Sequence, residues 1–473
     1  MKAAAAGLRA AAADVLDRLP APATRPVQLG YRVVKARRFQ DIRQWRSFLV
    51  DSDHWPAERL RAYQLNRMQA LLRHAAEHVP HYRHVLREAG FEPADLCSLN
   101  DVRRLPILEK ATLQRDEERL VADNVPPRAR SYVTTAGSTG IPVGFWVDAE
   151  QGGREIGFIE ALWRRVDFRP SDRVAVLRGT VVPGGRLWAL DLRSGQLIMS
   201  SYHLTADNIP LYLERLRRFR PRFLHVYPSS VLALARYMDA EGVAPMTGVH
   251  AVLCGSENLY DWQREAIERA FGCRAFSWYG QSENVCLAGE CEQNRRLHVV
   301  PQYGLLELLD GSGDPISEPG VPGEIVGTGL HARAMPLIRY RTGDVAQYAE
   351  GRCACGREHA LLERVEGRLH EFIVTATGRQ ISMAAINMHS RVFDQVEQFR
   401  FFQEEPGVVS LRVVPKPTFA WERDSEHIRR ELSPKLGDDV TLRIEVVPEI
   451  PRSGRGKFRF LEQLLPVAGG DAS

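Results

Sequence analysis

A chain of 473 residues is too long for one hydrophobic core and, at roughly 100–200 residues per domain, points to two or three domains. Its 44% hydrophobic and 26% charged residues are those of an ordinary globular protein, and a net charge of +4, from 63 basic and 59 acidic side chains, argues against a nucleic-acid binder. Seven scattered cysteines, an odd number, are no disulfide framework and fit a reducing cytoplasm. Six of the basic residues are lysine (Lys2, Lys35, Lys110, Lys416, Lys435 and Lys457), so arginine is the default cation and each lysine stands out.

The N-terminus, MKAAAAGLRAAAADVLDRLP, reads as an amphipathic helix rather than a signal peptide, because Arg9 and Asp14 interrupt its apolar run. No apolar stretch reaches the roughly 18 residues that a membrane span needs. Residues 45–87 have the Leu, Arg, Ala and Glu spacing of surface helices, and SLNDVRRLPILEKATLQRD breaks at Leu105-Pro106 before restarting a helix. The loop Thr134-Thr-Ala-Gly-Ser-Thr-Gly-Ile-Pro-Val-Gly144 combines glycines with hydroxyl side chains, a mixture suited to wrapping phosphate and equally to an ordinary surface turn.

From about 131 to 345, short apolar strands (RVAVL, FLHVY, HAVLCGS) alternate with helices (NIPLYLERLRRF, DWQREAIERAF), which predicts an α/β sheet layered by helices. After about Glu366 the texture becomes α+β: EFIVTATGRQIS reads as a hairpin, VVSLRVVPKP and VTLRIEVVPEIP as strands, and DSEHIRRELSPKLG as a helix between them. There is no internal repeat or low-complexity linker. Cys291-x6-His298 and Cys353-Ala-Cys355 offer three thiolates and an imidazole, the ligand mix of a closed zinc site, although free thiols fit the spacing as well; Cys286 and His359 are the nearest competing ligands.

Four further stretches accompany the glycine loop: Trp278-Tyr-Gly-Gln-Ser-Glu283, Arg339-Tyr-Arg-Thr-Gly-Asp344, Glu366-Gly-Arg368 and Pro451-Arg-Ser-Gly-Arg-Gly-Lys457. In this order and spacing the chain resembles the adenylate-forming superfamily of acyl-CoA synthetases, peptide-synthetase adenylation domains and luciferases. Within it, the likeness is to the phenylacetate–CoA ligase, capsule-biosynthesis and coenzyme F390 synthetase branch, and it runs across nearly the whole chain.

The resemblance implies a large N-terminal α/β adenylation domain over 1–367, with a helical lead-in over 1–110, and a small mobile α+β lid over 368–473. It implies an AMP-forming carboxylate ligase that uses ATP and Mg²⁺, with CoA as acceptor; an amide or ester synthetase with another acceptor and a catalytically silent zinc-bearing interaction protein are the alternatives. Thr134, Thr135, Ser138, Thr139 and Gly140 would close over the β- and γ-phosphates, although the lysine usual late in that loop is absent from Ile141-Pro-Val-Gly144-Phe. Glu283 would hold Mg²⁺, Tyr279 would lie along the adenine with Gly280, Gln281 and Ser282 forming the turn, and Asp344 and Arg368 would face the ribose.

Gly255 and Glu257, in Cys254-Gly-Ser-Glu257, match the family's nucleotide-side Gly and Glu. Lys457 would bridge the acyl carboxylate and the α-phosphate. Members of this branch carry a Cys-His-Cys-Cys zinc site, which on this chain implies structural Zn²⁺ on Cys291, His298, Cys353 and Cys355. His370 departs from the family, which usually has Asp or Lys there. The acyl pocket is expected near Tyr227-Pro-Ser-Ser230 and Trp278-Tyr279, whose aromatic walls are compatible with an aromatic acid.

Overall fold

The computed structural model describes residues 36–135, 143–191, 194–259, 261–366, 372–382, 386, 391–393, 395–450, 461–463 and 465. Three helices open it: α1 (Ala36–Ser52), α2 (Ala57–His78) and α3 (Pro80–Glu88). The break between α2 and α3 follows from Val79-Pro80: the residue before a proline is driven to extended backbone, and a proline is well placed at the first position of a helix. These helices are less superficial than their composition suggests. Leu60, Gln64, Met68, Leu71, Leu72 and Ala75 form one buried stripe of α2, and Gln64 Nε2 donates to Gly304 O at 3.0 Å.

Two short helices, α4 (Lys110–Arg115) and α5 (Glu117–Leu120), lead to a hairpin of β1 (Arg130–Thr135) and β2 (Val143–Asp148). Helix α6 (Gln151–Trp163) then enters the main sheet. Its first half contains β3 (Val174–Arg178), β4 (Trp188–Asp191), β5 (Gln196–Ser200), β6 (Phe223–Val226), β7 (Ala251–Cys254) and β8 (Arg274–Gly280). Between these strands run α7 (Ile209–Phe219), α8 (Pro228–Ala240) and α9 (Asp261–Phe271). Parallel strands covered on both faces need continuous apolar runs, and all four residues of β7 are buried.

The second half contains β9 (Leu287–Gly289), β10 (Leu297–Val299), β11 (Gly304–Leu309), β12 (Pro322–Gly329), β13 (Tyr340–Tyr348) and β14 (Leu361–Glu366). One twelve-stranded sheet results, in the order β11-β12-β13-β14-β10-β9-β8-β7-β6-β3-β5-β4. Strand β8 joins its halves. Ser277 pairs in parallel with Cys254 of β7, whereas Trp278 pairs antiparallel with Gly289 of β9. The WYGQSE stretch therefore begins where the sheet changes direction.

Past residue 366 come the hairpin β15 (Phe372–Val374) and β16 (Gln380–Ser382), then β17 (Val396–Glu405), β18 (Val408–Pro415), helix α10 (Trp421–Leu436), β19 (Thr441–Val446) and β20 (Leu461–Gln463). The sheet order is β19-β18-β17-β20. Phe399, Phe401, Leu411, Ile428 and Leu432 fill its core, and Tyr202 and Tyr227 from the main sheet's side share the same cluster. Gly407, at φ 78° in the β17–β18 turn, lies so close to Ala376 that a Cβ would sit 2.6 Å from that residue's Cβ, so glycine alone fits. The sequence-based division at 367/368 falls outside the described residues. Among the described residues no helix is long and apolar enough to cross a membrane.

Candidate functional site

Where β8 gives way to its turn, side chains from β8 and β13 meet. Tyr279 Oη donates to Asp344 Oδ2 at 2.8 Å and accepts from Gln281 Nε2 at 2.8 Å, while Gln281 Oε1 accepts from the Cys286 amide at 3.2 Å. Burial, with the Asp344 charge beside it, pushes the Tyr279 phenol well above its ordinary range, so it remains a donor. Glu283 Oε1 accepts from Tyr340 Oη at 3.2 Å.

The backbone around these residues is held in unusual shapes. Ser256, Asn284 and Arg339 have φ of 68°, 57° and 51°, a region that L side chains enter at a cost of order 1 kcal/mol, and Gly343 at φ 79° turns the chain into Asp344. Arg339 is a brace rather than a ligand-facing cation. It donates to both carboxylate oxygens of Glu307 at 3.1 Å and to the carbonyls of Leu105 and Arg103, with both ion-pair partners buried.

Near β7, Gly255 packs flat on Trp278, where a Cβ would come within 2.4 Å of the indole. Trp163 and His225 flank that indole with ring centres at 5.6 Å each, so it has little room to move. Gly255→Ala is expected to destabilise by about 1–3 kcal/mol through overpacking, read as a lower denaturation midpoint at unchanged m-value. Glu257 Oε2 accepts from the Ser229 amide and Oε1 from the Ser229 hydroxyl, both at 3.0 Å, which places a carboxylate at the start of α8.

A second constellation lies between β10 and the loop before β14. The donor atoms of Cys291, His298, Cys353 and Cys355 all lie within 4.8 Å of one another. Cys291 Sγ is 3.5 Å from Cys353 Sγ, and Cys355 Sγ is 3.6 Å from His298 Nε2. Four ligands around zinc would be spaced by about 3.8 Å for sulfur pairs, so the set fits a tetrahedral S₃N site. Burial pushes the Cys291 thiol up to about 12, so a bound cation would be needed to hold it as thiolate. Cys286, by contrast, points toward Leu305 O at 3.9 Å, and His359 stands 5.9 Å from His298 between ring centres.

Comparison with known proteins points to a family. The CapK C-terminal domain family matches residues 373–463. A phenylacetate-coenzyme A ligase of Thermus thermophilus is 27% identical over 434 residues, covering 85% of this chain and 96% of that protein. Protein CapK of Staphylococcus aureus is 22% identical over 386 residues, covering 80% and 84%. These matches support the phenylacetate–CoA ligase/CapK-like branch of the adenylate-forming superfamily as the one this chain resembles over most of its length. A solved structure of 2-hydroxyisobutyryl-CoA ligase, in complex with 2-HIB-AMP and CoA, superposes with a TM-score of 0.58 at 21% identity, covering 87% of this chain and 91% of that one, and shares its fold.

In this adenylate-forming chain, Tyr279, Gln281 and Asp344 come together, and Glu283 reaches Tyr340. Gly255 and Glu257 lie on the adjacent turn after β7, and Thr134 and Thr135 pair with Gly144 and Val143 in the β1–β2 hairpin. Gly144, one of the loop's three glycines, has a packing reason of its own: a Cβ there would overlap the Tyr132 ring. Ser138, Thr139, Gly140, Arg368, His370 and Lys457 lie outside the described residues.

Sequence reasoning missed a buried ion network behind the cysteine cluster. Asp53, just past the end of α1, accepts from Arg165 Nη2 at 2.9 Å and from Arg357 Nε at 2.5 Å. Arg357 also donates to Glu292 Oε2 at 2.8 Å, and Arg165 donates to the Gly289 and Glu290 carbonyls. Burial works against the Cys355 thiolate, but hydrogen bonds from the Arg357 amide and guanidinium bring that thiol below its ordinary range. The one local signal was Arg357 itself, two residues after Cys355. Asp53 stands 304 positions away and carries none.

Proposed function

We propose that this enzyme, an AMP-forming carboxylate ligase of the acyl-CoA ligase type, joins a carboxylic acid to the α-phosphate of ATP and passes the acyl group to the thiol of CoA. The Tyr279–Gln281–Asp344 constellation at the sheet junction supports this reading most directly, in a chain that aligns with a phenylacetate-coenzyme A ligase over most of its length. A carboxylic acid is ionised at neutral pH, so attack on the α-phosphorus needs no general base. One carboxylate oxygen bonds to that phosphorus, the bond to the bridging oxygen breaks, and pyrophosphate leaves. In the second half-reaction the CoA sulfur bonds to the acyl carbon, the thiol proton passes to solvent, and AMP leaves.

The residues then divide the work of positioning and charge stabilisation. Tyr279 and Asp344 would receive the adenosine, with Tyr279 fixing the Asp344 carboxylate through one oxygen and Gly280, Gln281 and Ser282 shaping the turn. Arg368 would stand beside the same sugar, Gly255 and Glu257 on the nucleotide's other side. Thr134, Thr135, Ser138, Thr139 and Gly140 would cover the phosphate tail. Glu283, a hard oxygen donor, would hold Mg²⁺, which neutralises phosphate charge when bound. Lys457 would contact the acyl carboxylate and the α-phosphate. The acid would lie at the ends of β6, β7 and β8, beside Tyr227 and Trp278.

The test is carboxylate-dependent exchange of labelled pyrophosphate into ATP. Exchange with one acid class is expected, falling roughly a hundredfold in Lys457→Ala, the usual scale for removing one charge-stabilising group. Absence of exchange with every acid of an aromatic, aliphatic and amino-acid panel would overturn the reading. CoA-dependent release of AMP then separates CoA from another acceptor.

Cys291, His298, Cys353 and Cys355 would bind one structural Zn²⁺, leaving no open position for water. About one zinc per chain is expected by elemental analysis, lost in Cys353→Ser and Cys355→Ser. Unchanged zinc in both variants would refute the assignment.

A further inference from the structure

Arg178 ends β3, at the same edge of the parallel strands as Tyr227 and Gly255. Its Nη1 donates to His225 Nε2 at 2.8 Å, its Nη2 to Ser256 Oγ at 2.5 Å, and its guanidinium carbon lies 5.1 Å from the centre of the Tyr227 ring. Arginine can only donate, so Nε2 of His225 is the acceptor and that ring carries its proton on Nδ1. Burial and the Arg178 charge hold the pKa of His225 well below 6.5, so the ring is neutral. Trp163 and Trp278 close around it, with ring centres at 4.8 and 5.6 Å.

The result is a permanent cation, partly buried, whose hydrogen-bond partners His225 and Ser256 carry no charge. Among the described residues no carboxylate forms an ion pair with Arg178; Glu257, on the neighbouring turn, accepts from the Ser229 amide and hydroxyl and acts electrostatically on Tyr227. The Arg178 Nε is buried without a hydrogen-bond partner. Removing a guanidinium from water without an anion is costly, and its five N–H donors exceed what His225, Ser256 and Tyr227 take up. An arginine fork is best matched by a planar carboxylate. The Ser256 backbone, strained at φ 68°, is part of the same arrangement, in keeping with strain retained at a binding site.

We propose that the acid activated by this chain carries a second carboxylate, remote from the one that is adenylated, and that Arg178 receives it. This rests on the reading above, in which the acid lies beside Tyr227 and Trp278. Arg178 acts on specificity: it selects which acid is held in place and takes no part in bond making.

The experiment is pyrophosphate exchange by the full chain with matched pairs, butanoate against pentanedioate and phenylacetate against 4-carboxyphenylacetate, in wild type, Arg178→Met and Arg178→Lys. In wild type the diacid of at least one pair should exceed its monoacid in kcat/KM by roughly 10–100-fold, the worth of one charged hydrogen-bonded contact. Arg178→Met should bring that ratio near one, and Arg178→Lys should keep part of it. General damage would lower both members of a pair together and leave the ratio unchanged. Wild-type exchange without preference for either diacid, or a preference that survives Arg178→Met, would overturn the inference and leave adenylation standing. Exchange with none of the four acids would overturn both.

Discussion

Asp53→Ala is expected to lower folding stability by about 3–5 kcal/mol and to weaken retention of the zinc proposed for the Cys291, His298, Cys353 and Cys355 set by roughly 10–100-fold. The substitution leaves Arg165 and Arg357 facing each other without the carboxylate that separates them, in a site where both side chains are almost fully buried. Arg357 also hydrogen-bonds Cys355, so losing its anchor loosens a predicted zinc ligand as well as α1. Chelator competition reads the metal, and denaturant unfolding reads the stability. A variant that matches wild type in both would show that the network is ornamental.

The same carboxylate sets an expected acid response. Burial opposes ionisation of Asp53, but Arg165 and Arg357 hold its pKa down to about 2, against 3.8 ordinarily. A depressed carboxylate stabilises the fold above its unfolded pKa and loses that contribution as pH falls through the folded value. The stability gap between wild type and Asp53→Asn should therefore be constant above about pH 4 and narrow between pH 4 and 2.

The second large effect is expected at Arg339. Arg339→Met takes both hydrogen-bonded donors from the Glu307 carboxylate, 7% exposed, leaving it the half-exposed Arg103 guanidinium at 4.0 Å, and removes donors from the Leu105 and Arg103 carbonyls, a loss of about 3–5 kcal/mol. The double variant Arg339→Met/Glu307→Leu should recover part of this, because replacing both partners removes the buried charge. A double-mutant cycle by denaturant unfolding measures the coupling, and additive effects would contradict a direct pair. Arg339 sits five residues before Asp344 in what reads as one motif. The structure divides it: the first residue ties the 99–108 segment to the sheet, while Tyr340 and Asp344 reach Glu283 and Tyr279.

Much of this protein was legible in its order of residues. The break at Leu105-Pro106 and the helix that restarts after it follow from local sterics, the apolar runs at 174–177 and 251–254 read as strands of an α/β sheet, and the hairpin and helix after residue 371 follow from period and turn chemistry. Cys291, His298, Cys353 and Cys355 were readable as candidate ligands by donor type, with free thiols fitting the spacing equally well until the family resemblance favoured the ligand set. Their meeting within 4.8 Å depends on β10 lying between β9 and β14.

The remainder was decided in three dimensions. Asp53 with Arg357, Gln64 with the Gly304 carbonyl and Arg178 with His225 join residues 304, 240 and 47 positions apart. Buried charge and buried amide groups impose no periodicity on a sequence; their cost is settled only by which partner the fold brings near. Local sterics and hydrophobic spacing thus specify the elements and name the chemical groups. The packing of distant elements sets which of those groups meet, and at what charge.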